Sequence, residues 1–229
     1  KQFDLVIHLA AIVPTNRVDK NFKIAKKINV DGTKNIIKAL STLKEPPKWF
    51  FFASTSHVYP STNFYKKISE KCRTKPYSKY GKTKKEAEKI IRKNFNNKNI
   101  KFCIGRIFSF TDKRQKPPYV IPSLFTKIKK KRKSILLSNL NHYRDFISTK
   151  DIALAINLLF KKKKRGIFNI GSGNSINLKS IAKIIAKKEK RKILFSTDNN
   201  PTYLLSDSKK LKKLGWKPKN FKNNISYFY

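Results

Sequence analysis

At 229 residues the chain can build one well-packed domain and part of another, and 39% hydrophobic content with 17 Phe and 9 Tyr excludes a disordered polymer. No apolar run approaches the ~20 residues of a membrane span, and Lys1 leads into Phe3-Asp4-Leu5-Val6-Ile7 without a signal-peptide pattern, so no membrane partner is expected. The formal charge of +42 suggests nucleic acid, but lysine far outnumbers arginine and is spread over nearly every expected helix, so we expect no specific nucleic-acid partner. What the charge does imply is salt-dependent attraction to polyanions and phosphate-bearing ligands.

Cys72 and Cys103 have no metal-ligand spacing around them; no metal is expected, and a reducing cytoplasm suits two free thiols. Asp4 to Ala11 is a near-continuous apolar run, the mark of a strand buried on both faces, with His8 as a packed core histidine. The small Ala10 and Ala11 at its end would let a ligand approach the backbone. From Asp19 to about Leu43 a helical pattern follows, with Asn29-Val30-Asp31-Gly32-Thr33 inside it. Glycine in mid-helix is unfavourable by about 1 kcal/mol, so Gly32 predicts close packing or a ligand nearby.

Trp49 to Ala53 predicts a second strand, with Ser54 to Pro60 leaving it as a loop. After a polar connection, a helix is expected over 77–97, then a third strand from Ile100 to Ile107. Alternation of strand and helix is the α/β signature. Beyond Phe108 the pattern loosens. A short helix (Ser123 to about Lys131), a capped helix opening at Ser148 and running through Leu159, a strand at Ile167–Ile170, a helix at Leu178–Lys188 and a strand at Ile193–Phe195 follow. The basic run Lys161 to Arg165 reads as a solvated helix end.

The chemistry concentrates at Tyr80 and Lys84, four apart on one helical face. A phenol with pKa near ~10 is a poor base at neutral pH. An ammonium beside it favours the phenolate, making the pair a proton-transfer unit for alcohol–ketone interconversion. In so lysine-rich a chain the spacing also arises by chance. The order of elements argues for function: the strand end Leu9-Ala10-Ala11, the polar cluster Ser54-Thr55-Ser56 closing the next strand, and then the helix with Tyr80 and Lys84 come to one rim of a parallel sheet.

Asp4 to Ala11, Asn29 to Thr33, Ser54 to Tyr59, Pro76 to Lys84, Arg144-Asp145-Phe146-Ile147, Phe168 to Gly173 and Leu214 to Pro218 occur in one order across nearly the whole chain. Together they resemble the extended short-chain dehydrogenase/reductase family, the nucleotide-sugar epimerase/dehydratase group. The resemblance implies an α/β fold: a Rossmann-type doubly wound parallel sheet lacking its first βαβ unit, with a smaller C-terminal α/β substrate domain. Residues 1–110 would form the dinucleotide-binding part and 111–229 mainly the substrate part, with about 144–165 returning to the first.

By the same resemblance Tyr80 is the catalytic acid/base, Lys84 holds the nicotinamide ribose and depresses the tyrosine pKa, and Thr55 hydrogen-bonds the reacting sugar oxygen. Ala10, Ala11 and Asn29 match cofactor-lining positions for NAD or NADP. Arg144 matches the arginine that contacts the nucleotide diphosphate, and Ser109 stands where many epimerases have Asn. A homodimer through the Tyr–Lys helix and the one before it is expected.

Three departures stand out. The family's glycine-rich turn is absent, since no glycine precedes Gly32, and methionine is absent altogether. We therefore expect ~55–65 residues of the family's layout to be missing at the N-terminus, including the residue that selects NAD or NADP. Dehydratases carry Asp-Glu directly after the Ser/Thr, where this chain has Ser56-His57, which argues against elimination of water. His57 is a candidate proton donor, weighed against an incidental loop histidine. The reading is an NAD(P)-dependent 4-epimerase of a nucleotide-diphosphate sugar. The alternatives are a nucleotide-sugar 4-ketoreductase, or a non-catalytic polyanion-binding protein that keeps the fold.

Overall fold

Trp49, Phe51 and Cys103 turn to one face of a parallel sheet, Phe50, Phe52, Phe102 and Ile104 to the other, and all are buried. A sheet apolar on both faces requires helices on both sides. The computed structural model describes residues 3–13, 15–95, 100–130, 134–196, 200–219 and 221. The ends of two expected helices, residues 96–97 and Lys131, lie outside them.

In chain order, β1 (Leu5–His8) is followed by α1 (Thr15–Lys20), α2 (Phe22–Lys26), a wide π turn over Lys27–Asp31, and α3 (Gly32–Thr42). β2 (Trp49–Thr55) ends in a 3-10 turn over Ser56–Val58; β3 (Lys67–Ile68), α4 (Lys79–Phe95), β4 (Lys101–Ile107) and β5 (Ser109–Thr111) follow. Then come α5 (Val120–Lys130), β6 (Ile135–Leu137), β7 (His142–Arg144), β8 (Phe146–Ser148), α6 (Thr149–Lys161) and β9 (Gly166–Ile170). The chain continues through β10 (Ile176–Asn177), α7 (Leu178–Lys188), β11 (Ile193–Phe195), β12 (Thr202–Ser206) and α8 (Lys209–Lys212).

The main sheet has the order β1-β2-β4-β9, every pair parallel. On one face Ile37 and Leu40 of α3 and Ala87, Ile91 and Phe95 of α4 meet Phe50, Phe52 and Ile104. On the other, Ala155, Ile156 and Leu159 of α6 join Leu211 and Trp216 against Trp49, Phe51 and Phe168. The result is a doubly wound Rossmann-type sheet whose strand ends share one rim. A second sheet, β10-β7-β12-β3, and the α5–α7 core around Ile128 and Ile185 make the other half.

Three local expectations change. The helix expected from Asp19 to Leu43 is interrupted by the π turn, where Asn29 and Val30 turn inward. β2 extends two residues further than Ala53, because its pairing with β4 continues until Thr55 stands opposite Ile107. Gly32 is not explained by packing: a Cβ there would meet no atom within 4 Å.

Beneath the rim lies a buried polar chain. Arg106 of β4 donates from Nε and Nη2 to Glu88 of α4 at 3.0 and 2.7 Å, and Ser54 Oγ donates to the same carboxylate. Arg106 Nη1 donates to the Tyr59 hydroxyl at 2.8 Å; that hydroxyl donates to Asn169 Oδ1, and Asn169 Nδ2 donates to the Ile68 carbonyl. The Arg106 and Glu88 side chains are each only 4% exposed. Removing one partner of so buried a pair strands the other's charge. Arg106→Met should therefore lower unfolding stability by about 3–5 kcal/mol. A smaller total loss is expected when Glu88→Leu is added, as read by urea denaturation of the single and double variants.

Candidate active site

α4 starts against the turn that follows β2. Ser78 Oγ accepts from Gly81 N at 3.0 Å. A Cβ on Gly81 would collide with the His57 carbonyl, so only glycine permits this approach. The contact sets Tyr80 against the tip of β2, where the side chain of Thr55 acts on the Tyr80 hydroxyl. Both residues are buried. The resemblance paired these two oxygens, and the fold brings them together on the same side of the sheet edge.

The electrostatics differ from the expectation for a tyrosine beside an ammonium. Burial raises the Tyr80 pKa above its ordinary value; Thr55 partly offsets this and Tyr119 adds to it. Lys84 is not among the causes that shift Tyr80 in the ligand-free chain. Its amine lies over the Phe52 ring at 4.1 Å, and its charge is felt by His8 on β1. Burial pulls the Lys84 pKa down to about 7, against the raising influence of Glu88. The two side chains share a helical face but lean apart, Tyr80 into an apolar cluster with Val18 and Ala25, Lys84 along the sheet.

Asn29 is fully used inside the protein. Its Oδ1 accepts from Ile12 N at 2.7 Å, and its Nδ2 donates to the Ile12 carbonyl and to Thr83 Oγ1. It therefore ties the loop after β1 to the helix turn between Tyr80 and Lys84, and any influence on a ligand passes through that backbone. Thr33 donates to the Asn29 carbonyl and accepts from His8 Nε2, which explains the core histidine. Ala10 is exposed and Ala11 half-buried on this loop. Ser109 opens β5, opposite Phe146 of β8.

Arg144, at the end of β7, donates from Nη1 to the carbonyls of Tyr143 and Thr202 and from Nη2 to Thr202 Oγ1. Its charge, together with the larger effect of burial, lowers the His57 pKa to about 4. His57 is thus neutral near pH 7 and does not offer the acidic proton expected of a donor. Its ring meets Tyr80 edge-on at 5.8 Å, and its buried Nδ1 has no hydrogen-bond partner. Asp145 faces away from Arg144. Buried, it accepts from the backbone nitrogens of Ser172, Gly173 and Ser206, pinning β12 and the turn after β9.

Sequence reasoning missed Gly81, Thr83, Asp145 and Tyr119 as positioning residues. Gly81 left a signal, a helix breaker beside the key tyrosine. Tyr119 left none, since it reaches Tyr80 from a loop. A cavity of about 720 Å³ adjoins the site, lined among others by Ile12, Val13 and Tyr119. The residues present fit the nicotinamide end of a dinucleotide. Lys84 has no hydrogen-bond acceptor among the described residues, and Ala10 and Ala11 leave the backbone approachable.

The family model described as GDP-mannose 4,6 dehydratase matches residues 1–226. A putative UDP-glucose 4-epimerase of Methanocaldococcus jannaschii is 30% identical over 225 residues, covering 95% of this chain and 73% of the relative. A solved RMD from Pseudomonas aeruginosa, complexed with NADPH, superposes with a TM-score of 0.87 at 21% identity, over 98% of this chain and 80% of that one. UDP-glucuronic acid 4-epimerase from Bacillus cereus, complexed with UDP-glucuronic acid and NAD, gives 0.85 at 24% identity, over 99% and 74%. These two solved structures share the fold described above.

The depressed Lys84 pKa makes a stability test. Between about 7 and the ordinary 10.5 the unfolded chain holds this proton and the folded chain does not, so stability rises with pH across that window and falls as pH drops to 7. Melting or denaturant curves should show a gain of about 2 kcal/mol from roughly pH 7 to 9. Lys84→Met should flatten the slope; an unchanged slope in that variant would place the titration elsewhere.

Proposed function

Because this chain belongs to the GDP-mannose 4,6 dehydratase family, within the NAD-dependent epimerase/dehydratase group of nucleotide-sugar enzymes, we propose that it is an NAD(P)-dependent 4-epimerase of a nucleotide-diphosphate sugar. The observation that carries the reading is the placement of two buried side chains, Tyr80 and Thr55, at the carboxyl rim of a parallel sheet, where Thr55 lowers the Tyr80 pKa. A relative named as a 4-epimerase supports the reaction type, and neighbours named with NAD and with NADPH support the cofactor class.

When bound, the dinucleotide would supply the hydride chemistry. The chain's own residues handle the proton and the geometry. Thr55 would orient the sugar hydroxyl, and Tyr80 would take its proton as the phenolate, a form that burial disfavours in the ligand-free chain, and return it when the hydroxyl is re-formed. Lys84 would hold the ribose. Because its pKa lies near 7, small changes in its surroundings switch a cation on or off one turn from Tyr80. Arg144 would meet the diphosphate, with the donors not used on Thr202 and Tyr143 available to it. His57 would accept a hydrogen bond from the substrate. Elimination of water is not part of this reading: Ser56 and His57 follow Thr55, and Glu88 is committed to Arg106 and Ser54.

Tyr80→Phe should keep the melting temperature and substrate affinity while turnover of UDP-glucose falls about 10²–10⁴-fold, measured with NAD and with NADP. Unchanged turnover would remove Tyr80 from the mechanism. Net consumption of NAD(P)H with a 4-keto sugar would make the protein a reductase. Polyanion binding without any turnover would leave a binding protein.

A homodimer through α3 and α4 belongs to the same reading. Lys82 and Lys89 are exposed and Lys85 half-exposed on α4, so two copies would bring like charges together. Sedimentation should therefore show dimerisation strengthening as salt is raised from about 50 to 500 mM, through screening; dissociation on adding salt would contradict that interface.

A further inference from the structure

The cavity of about 720 Å³ lies between the loop after β1, with the α1 and α2 turns, and the segment from Asp112 to Tyr119. It is linked to Tyr80 through residues of its lining. Ile12 and Val13 belong to the apolar cluster around Tyr80, and Tyr119 acts electrostatically on Tyr80. Its charged lining is unbalanced. Arg114 is committed to Asp112, donating at 2.8 Å to Oδ1, and the same carboxylate accepts from Thr149 Oγ1 at 2.6 Å. That pair is internally neutral. Arg17 and Lys116 remain, and neither forms an ion pair among the described residues. Gln115 also lines the cavity, and its buried Oε1 accepts no hydrogen bond. A buried acceptor without a donor is rare enough to call for one.

Arg144, the side chain suited to a diphosphate, is not among the residues that line this cavity. Arg17 and Lys116, both exposed at the cavity, are therefore distinct from Arg144, and a neutral hexose has no charge to pair with them. Arginine is also scarce in this chain relative to lysine, so an unpaired one at this cavity is more selective than another surface lysine.

Resting on the nucleotide-sugar function proposed above, we propose that this cavity selects a sugar bearing a carboxylate, which Arg17 and Lys116 pair with while Gln115 accepts a hydrogen bond from a sugar hydroxyl. The substrate class is then a nucleotide-diphosphate uronic acid. An anionic group in the cavity could also come from a phosphate of the dinucleotide, and the test separates the two.

Titration calorimetry at about 50 mM salt compares UDP-glucuronate with UDP-glucose, and GDP-mannuronate with GDP-mannose; each pair shares its diphosphate and differs by the carboxylate. The acidic member of at least one pair should bind about tenfold more tightly. Arg17→Ala and Lys116→Ala should each remove most of that preference and leave the neutral sugar's affinity unchanged. Lys38→Ala, an exposed cation on α3, should preserve it. Equal affinities within both pairs would overturn the proposal, with the cations then serving a phosphate. A preference lost equally in Lys38→Ala would also overturn it, by assigning the effect to net charge. If no sugar nucleotide binds, the proposed function itself falls and takes this inference with it.

Discussion

The bidentate pair between Arg106 and Glu88 is the constraint on which the rest of the architecture depends. It joins the centre of the sheet to the helix that carries Tyr80 and Lys84, and both charges are out of water. A buried ion pair stabilises only if its remaining hydrogen-bonding capacity is met. Here Ser54 and Tyr59 meet it, and Tyr59 passes the connection to Asn169 on β9. Three strands and a helix are thereby held in one register directly below the candidate site.

The site above this pair is rich in groups whose charge burial suppresses. Lys84 is drawn toward neutrality, Tyr80 away from ionisation, and His57 and His8 toward the uncharged ring. Of these groups only Lys84 is brought close to both protonation states near pH 7; burial carries Tyr80, His57 and His8 further from their charged forms. The polar inventory of the site is not fully satisfied from within. The Lys84 amine, His57 Nδ1 and Gln115 Oε1 all await partners, and a bound ligand would supply them.

Most of the fold was legible from patterns with a local cause. The run Trp49 to Ala53 reads as a two-sided strand because every position is apolar. The α7 bounds follow from Asn177 and from the spacing of Leu178, Ile181 and Ile185. The π turn at Lys27–Asp31 was not legible, because its cause is distant: the Asn29 side chain reaches Ile12 and Thr83. The extension of β2 to Thr55 was likewise decided by its neighbour strand, since Ser54 and Thr55 look like loop residues until β4 pairs with them.

For the candidate site, spacing on one helix singled out Tyr80 and Lys84, and the family resemblance added Thr55 and Arg144. The sequence also determined that the chain would fold as α/β, since alternating apolar runs and amphipathic helices leave few other ways to bury them. Tertiary structure decided what those residues are at rest. The spacing of Tyr80 and Lys84 implied mutual influence, yet Lys84 turns over Phe52 and toward His8 while Tyr80 turns to Thr55. The physical reason is that a pKa follows from desolvation and from the direction of each side chain, and both are set by atoms contributed from across the fold.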